Sequence, residues 1–197
     1  LLLRAGGCEH LLDSPPPTAT EAVELCGRLP LALGLAGGII RELADSWQSE
    51  LVPLLREEFE EASVEERVVT VSLRVVPEAL RAGVIGLFAL FAIFPEDATV
   101  PVAAIDALAP LMGGDEATRQ AAQKKLTTRR WLQALLKANL LQGSVDAGLS
   151  VHDLVRDCMI RRAEAARDGG LCATQRDTLP VLLAAHDSGG PAAGYAE

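Results

Sequence analysis

The chain has 197 residues, a formal net charge of −9 at pH 7 and 49% hydrophobic residues. This length can bury a core that needs no disulfide or metal, and the negative charge argues against a function based on neutralising nucleic-acid phosphates over a whole face. Aromatic residues make up only 4%, so the core consists mainly of Leu, Ala and Val. That composition favours packed helices and excludes an all-β sandwich.

The cysteines and the apolar runs bear on the compartment. Cys8, Cys26, Cys158 and Cys172 have neither C-x-x-C nor zinc spacing, which indicates reduced thiols and no metal site. The longest apolar runs, 29–40 and 84–94, are shorter than the roughly 18 residues of a membrane span. We therefore expect a cytoplasmic protein without a membrane partner. The absence of an initiating Met and of a signal peptide indicates a piece of a longer polypeptide.

Prolines and glycines divide the first part of the chain into helices. Residues 1–12 predict the end of a helix, stopped by three prolines. Thr18 and Glu21 have the T-x-x-E spacing of a capping box, and Gly27 is placed to end the helix that they begin. Pro30 predicts a further helix start, because a first-turn residue needs no N–H group.

The helix that Pro30 begins is apolar on all sides, so we expect other helices to enclose it. Its glycines, at 34, 37 and 38, would let neighbours approach closely. An amphipathic helix is predicted over 46–61, with its glutamates in solvent. The β-branched run 64–76 lies between helices and is also interpreted as a helix, ending before a boundary at Pro77.

The second part of the chain predicts helices around a short hairpin. A helix over 78–94 ends at Pro95, and Pro101 is expected in the first turn of another helix that ends near Leu108. One or two helices follow over 115–138. Two short apolar pieces that flank "GSVDAG" then predict a β hairpin.

The last elements are a helix over 153–166 and a tail. Asp157 and Arg161 have the spacing of an i,i+4 ion pair on this helix. The tail predicts one short helix over 179–185 and then a flexible linker. The expected fold class is mainly α: a helical bundle (1–77), a winged-helix subdomain with a small β hairpin (78–167), and a linker or flexible tail (168–197).

Three stretches resemble motifs of the NB-ARC module of STAND-type signal-transduction ATPases, the family of plant resistance proteins and the apoptotic protease-activating factor. "ELCGRLPLALGLAGGIIRE" resembles its GLPLA motif, with Arg28 in place of the more usual glycine. "LFALFAIFPEDATVPVAAI" is similar to the opening of its winged-helix subdomain. "LSVHDLVRDCM" resembles its MHD motif, with Val151 in place of Met. The resemblance covers residues 1–167 and makes residues 1–77 similar to the ARC1 subdomain.

The resemblance implies an ADP pocket shared between subdomains. In the family, the GLPLA proline packs beside the adenine and the MHD histidine reaches the β-phosphate, which points to Pro30 and His152, with Leu29 and Asp153 in support. His152 precedes a predicted helix, where free amides and the helix dipole favour an anion. Asp153 is expected to cap that helix and to position the histidine.

The chain has no G-x-x-x-x-G-K-[ST] phosphate loop, so we expect no catalytic residue and no ATP hydrolysis by it. The resemblance implies the regulatory part of a switch, in which an upstream nucleotide-binding domain of the same chain holds ADP and exchange for ATP releases the closed state. The intact protein would be a slow P-loop ATPase with a downstream repeat or sensor domain and a capacity for self-assembly.

Two other functions compete with this interpretation. A winged helix that binds DNA is suggested by basic residues before the hairpin, although the rest of the surface is acidic. These residues are Arg119, Lys124, Lys125, Arg129, Arg130 and Lys137. A helical scaffold that binds partner proteins would ignore ADP. Without the family, Pro30 is an ordinary helix starter and His152 an ordinary capping residue.

Overall fold

The computed structural model describes residues 1–57, 62–112, 115–166 and 170–188. These residues form a mainly helical fold with a small two-stranded antiparallel hairpin, which confirms the predicted fold class. The helices are α1 (Leu2–Ala5), α2 (Pro17–Leu25), α3 (Pro30–Leu43), α4 (Trp47–Glu57), α5 (Val64–Arg74), α6 (Glu78–Leu90), α7 (Val102–Leu108), α8 (Glu116–Ala122), α9 (Lys125–Lys137), α10 (Asp153–Ala166) and α11 (Gly170–Ser188). The strands are β1 (Gln142–Ser144) and β2 (Gly148–Ser150).

One hydrophobic core runs through helices on both sides of Pro77. α3 contributes buried residues to this core from its middle and second half, and it packs against α1, α4, α5 and α9. The prediction that other helices enclose α3 is therefore confirmed beyond its first turn. The largest fully buried side chains are Phe91, Leu35, Ile39, Ile40, Leu51, Leu55, Leu87, Ile105, Leu108, Met112, Leu132 and Leu135. The division into subdomains at Pro77 stays a prediction.

The first helices differ in detail from the prediction. α1 ends at Ala5, and the left-handed Gly7 (φ +73°) turns the chain away before a 3-10 turn over Glu9–Leu11. α2 begins at Pro17 without a side-chain cap, so the predicted capping box is wrong. Thr18 instead donates its hydroxyl to the Gln48 carbonyl at 3.0 Å, and Glu21 pairs with Arg56. Both side chains therefore join α2 to α4.

α3 begins at Pro30, as predicted. Two of its three glycines allow close packing: a Cβ on Gly37 would lie 2.4 Å from Ala5 Cβ, and one on Gly38 would lie 2.6 Å from the Ala138 carbonyl oxygen. A Cβ on Gly34 would meet nothing within 4 Å. The expectation of close approach therefore holds for Gly37 and Gly38 only.

α5 is a helix despite its β-branched residues, which confirms the interpretation of this run. Ser63 Oγ accepts from the Glu66 amide at 3.2 Å and the Glu66 carboxylate accepts from the Ser63 amide, a complete capping box. Val68, Val69 and Val71 are buried, so tertiary packing outweighs their low helix propensity. α4 ends at Glu57. The remainder of the helix predicted over 46–61, residues 58–61, lies outside the described residues.

The predicted elements around the hairpin are present. α6 ends at Leu90 and continues as a 3-10 turn over Phe91–Ile93, and Pro101 is the N-cap of α7 rather than a first-turn residue. Two helices, α8 and α9, precede the hairpin. β1 and β2 pair with Gly143 opposite Leu149, and Leu149 forms an antiparallel bridge with Val100.

The last two helices bring two corrections. The predicted ion pair of Asp157 with Arg161 is not formed: the Arg161 guanidinium bonds Glu66 on α5, with Nε and Oε1 2.6 Å apart, and Asp157 contributes only a weaker electrostatic attraction. α11 covers Gly170–Ser188 and is much longer than predicted. The predicted linker lies outside the described residues from 189 onward.

Candidate functional site

The turn between α2 and α3 carries the GLPLA-like motif. α2 ends in a Schellman arrangement: the Arg28 amide donates to the Val23 carbonyl at 3.1 Å and the Gly27 amide donates to the Glu24 carbonyl at 2.9 Å. Gly27 and Arg28 both have a left-handed backbone, with φ of +61° and +58°. Two consecutive left-handed residues reverse the chain and deliver Leu29 to the start of α3.

Arg28 occupies a conformation that glycine adopts without strain and that other residues adopt at a cost of roughly 1 kcal/mol. A glycine at position 28 would adopt this backbone conformation without that cost. The Arg28 guanidinium bonds Glu24 on the previous turn at 2.7 Å, but the two side chains are 73% and 55% exposed. An ion pair so exposed adds little stability.

Leu29 and Pro30 lie on the surface. Leu29 is the extended N-cap residue of α3 and is 38% exposed, and Pro30 is the exposed first residue of the helix. A Cβ placed on Gly27 would lie 3.6 Å from Val64 Cγ2 and 3.7 Å from Leu29 Cγ. The turn, Leu29 and the start of α5 therefore share one apolar surface beside Pro30.

His152 caps α10, and this differs from the expectation that Asp153 does so. The Leu154 amide donates to His152 Nδ1 at 3.3 Å, and the His152 carbonyl accepts from the Arg156 amide at 2.9 Å. Asp153 is the exposed first residue of the helix. Because Nδ1 accepts a hydrogen bond, the neutral imidazole carries its proton on Nε2. The exposed His152 side chain thus offers an N–H donor to a partner.

Among the described residues, no hydrogen bond or ion pair joins Pro30 to His152; α5 and α10 lie between them. The start of α5 adjoins Gly27, and α5 is joined to α10 through Glu66 and Arg161. His152 precedes Arg161 by nine residues, or about 13 Å along the helix. Both predicted residues are on the surface, and neither lines the cavity of about 560 Å³ between α1, α3 and α4.

The basic residues that suggested DNA binding are partly neutralised by carboxylates. Arg129 forms a two-bond pair with Asp106, at 2.8 and 2.9 Å. Lys137 pairs with Glu42 and Arg119 with Glu116, both at 3.0 Å. Three exposed cations without an ion pair in the described part of the chain are Lys124, Lys125 and Arg130. Half of the predicted basic face is therefore committed to intramolecular pairs.

Three cysteines of the described chain, at positions 8, 26 and 158, are free thiols. Burial raises the pKa of Cys26 to about 11 and also raises the pKa of Cys8 and Cys158, which favours the protonated thiol at neutral pH. In the described ranges, no three His, Cys, Asp or Glu residues cluster to hold a metal ion. No helix there is long and apolar enough to cross a membrane.

Comparison with known proteins does not assign the chain to a family. No family model matches the chain, and no curated protein is significantly similar to it.

Several features of this region were not predicted from the sequence. The left-handed Arg28 has no signal in the residue type, since arginine does not favour that conformation. The pairing of Glu66 with Arg161 joins residues 95 apart in the chain, which no local pattern indicates. The Ser63–Glu66 capping box did have a signal, the S-x-x-E spacing before an apolar run.

Proposed function

We propose that this chain is the regulatory part of an ADP/ATP-dependent signalling switch, with Pro30 and His152 as contacts to a nucleotide that an upstream domain holds. The observation that carries the proposal is the exposure of both side chains at helix starts. A proline or histidine with a purely structural role in the core would be buried. Here each side chain is free to meet a second domain.

The surface around Pro30 suits a flat apolar ring. Leu29, Pro30 and the neighbouring Val64 offer aliphatic contacts. A purine base gains stability from burial between such groups. The supporting role of Leu29 follows from its place in the turn, because it sets the direction in which α3 begins.

The start of α10 suits a phosphate group. The proton on His152 Nε2 points away from the helix cap, and the amide end of α10 carries the positive end of the helix dipole. Asp153 places a carboxylate in the same turn, which would weaken anion binding unless a cation of the absent domain offsets it. ADP would therefore bind weakly or not at all to this chain alone.

The test uses the full-length protein that contains this chain, purified without added nucleotide. Bound ADP is released by denaturation and quantified by chromatography, and the off-rate of a fluorescent ADP analogue is measured. His152→Ala and Pro30→Ala should each reduce ADP occupancy and increase the off-rate about tenfold, which corresponds to the loss of one good contact.

Matched controls keep the result specific. His10→Ala and Pro101→Ala change an exposed histidine and an exposed N-cap proline that lie outside both surfaces, so they should leave ADP retention unchanged. A full-length protein that carries no nucleotide, or variants at 30 and 152 that retain ADP like the wild type, would overturn the proposal.

A further inference from the structure

The cavity of about 560 Å³ lies between the start of the chain, the end of α3 and the start of α4, and α9 closes one side through Lys137. Its wall includes the partly exposed Leu11 and the buried residues Ile40 and Trp47, together with polar residues that make up about half of the lining. A volume of this size lies within the range of small-molecule sites.

Arg41 lines this cavity and forms no ion pair with the described residues. Its Nη2 donates to the Lys137 carbonyl at 2.7 Å and to Asn139 Oδ1 at 2.6 Å, and both acceptors are neutral. Nε is buried without a partner, and no carboxylate of the described chain lies within ion-pair distance of the guanidinium. A half-buried guanidinium without a counter-ion favours a bound carboxylate.

The cavity also presents one unpaired anion. Lys137, the other basic wall residue, is already paired with Glu42 at 3.0 Å. Asp45 lines the cavity, is exposed, and forms no ion pair with any described residue. Ala44, with a left-handed φ of +48°, separates Asp45 from α3. The wall therefore offers a fixed guanidinium and a separate carboxylate.

We propose that this cavity binds a free amino acid with an aliphatic side chain. The ligand carboxylate meets Arg41, its ammonium group meets Asp45, and its side chain lies against the partly exposed Leu11, next to Trp47. A zwitterion gives both unpaired charges a counter-ion at once. A simple anion would leave Asp45 without a counter-ion, and a simple cation would leave Arg41 without one. This site is independent of the nucleotide contacts proposed above.

The ligand would also act on the fold. Because Nη2 of the same guanidinium bonds Lys137 and Asn139, a carboxylate on Arg41 fixes the side chain that joins α3 to the end of α9. Binding to the folded state alone raises the melting temperature. The expected effect is therefore a ligand-dependent increase in stability.

The test compares three probes on the 197-residue chain labelled with 5-fluorotryptophan: L-leucine, 4-methylpentanoate without the amine, and 3-methylbutylamine without the carboxylate. The chain has two tryptophans; Trp47 lines the cavity, and Trp131 packs against Gly83 and serves as the internal reference. L-Leucine should shift the Trp47 fluorine signal with a Kd of about 1 mM and leave Trp131 unchanged. Each analogue should bind at least about tenfold more weakly.

Asp45→Asn should reduce the affinity for L-leucine to that for 4-methylpentanoate. Arg41→Lys should weaken the binding of both probes. Asp146→Asn, which changes an exposed carboxylate in the hairpin turn, should bind L-leucine like the wild type. Equal affinity for all three probes, equal shifts of both tryptophans, or no shift at about 20 mM L-leucine would overturn the proposal.

Discussion

Two of the contacts between the helices before Pro77 and those after it are built differently. At the first, the α3–α9 contact, Gly38 lies so close to the Ala138 backbone that a Cβ would be 2.6 Å from the carbonyl oxygen. Asn139 donates to the Gly34 carbonyl at 2.7 Å and accepts from Arg41 at 2.6 Å. Backbone packing and short hydrogen bonds to neutral groups hold this contact together.

At the second, the α5–α10 contact, long polar side chains meet at the surface. Arg161 bonds Glu66 at 2.6 Å and Arg162 donates to the Thr70 hydroxyl at 2.9 Å. The Arg161 and Glu66 side chains are 53% and 32% exposed. Such a pair is screened by salt and contributes little net stability.

The difference shows which contact can change its geometry at low cost. Close-packed backbone transmits any displacement as strain, whereas exposed ion pairs can break and exchange partners with water. In the proposed switch, the α3–α9 contact would be the fixed point, and the α5–α10 contact, next to the Pro30 turn, would be the contact that yields. The following substitutions test that ranking.

Gly38→Ala should have the largest effect. The new methyl group meets backbone that cannot move away, so we expect a loss of about 2 to 3 kcal/mol of unfolding free energy in urea denaturation. Gly34→Ala on the same helix is the matched control, since its methyl group meets nothing within 4 Å. It should stabilise the protein by about 0.5 to 1 kcal/mol. Equal effects of the two changes would show that the α3–α9 contact is not a fixed point.

Asn139→Ala should come next, with a loss of about 2 kcal/mol. It removes the hydrogen bonds to Gly34 and Arg41, and it places a side chain other than Asn or Gly at a φ of +57°. Asn139→Gly loses the same bonds but keeps the backbone unstrained, so it should be about 1 kcal/mol less damaging. Thermal and urea unfolding of the two variants separate these causes, and indistinguishable variants would exclude backbone strain.

Glu66→Gln tests the α5–α10 contact and should cost only about 0.5 kcal/mol at pH 7. Glutamine keeps the capping box with Ser63 and removes the charge opposite Arg161. The hydrogen bond from Arg161 lowers the pKa of Glu66 below its ordinary value. A lowered pKa stabilises the folded state above the unfolded pKa, and this contribution disappears as the pH falls through the folded value.

The wild type and Glu66→Gln should therefore differ in urea unfolding at pH 7 and converge near about pH 2 to 3. Glu65→Gln removes the neighbouring carboxylate, which is not the partner of Arg161, and should show no such convergence. A loss at pH 7 as large as that of Gly38→Ala would reverse the ranking of the two contacts.

Arg28→Gly should have the smallest effect and the opposite sign. It relieves the left-handed backbone at the candidate site and gives up only an exposed pair with Glu24, so the melting temperature should increase by about 1 to 2 °C. Arg28→Ala loses the pair and keeps the strain, so it should melt below the glycine variant. Calorimetry that finds alanine equal to glycine would show that the turn is unstrained.

Local patterns predicted much of the fold because their causes are local. Pro30 begins α3 since proline fits the first turn, Gly27 follows α2, and the turn sequence after Leu141 forms the hairpin. The capping box at Thr18 failed for a non-local reason: both side chains found partners on α4 instead. Of the candidate site, the sequence predicted the positions of Pro30 and His152 at helix starts, but it assigned the cap of α10 to Asp153 rather than to His152.

The local patterns of the chain are enough to specify a mainly helical protein with a small hairpin, because apolar periodicity, prolines and glycines act within a few residues of one another. Long-range packing is what places Gly38 on Ala138, pairs Glu66 with Arg161, and leaves Arg41 at a cavity without a counter-ion. These relations join residues about 100 positions apart or depend on the absence of a carboxylate near a guanidinium. Their energies come from packing and desolvation in three dimensions, which have no counterpart in the spacing of residues along the chain.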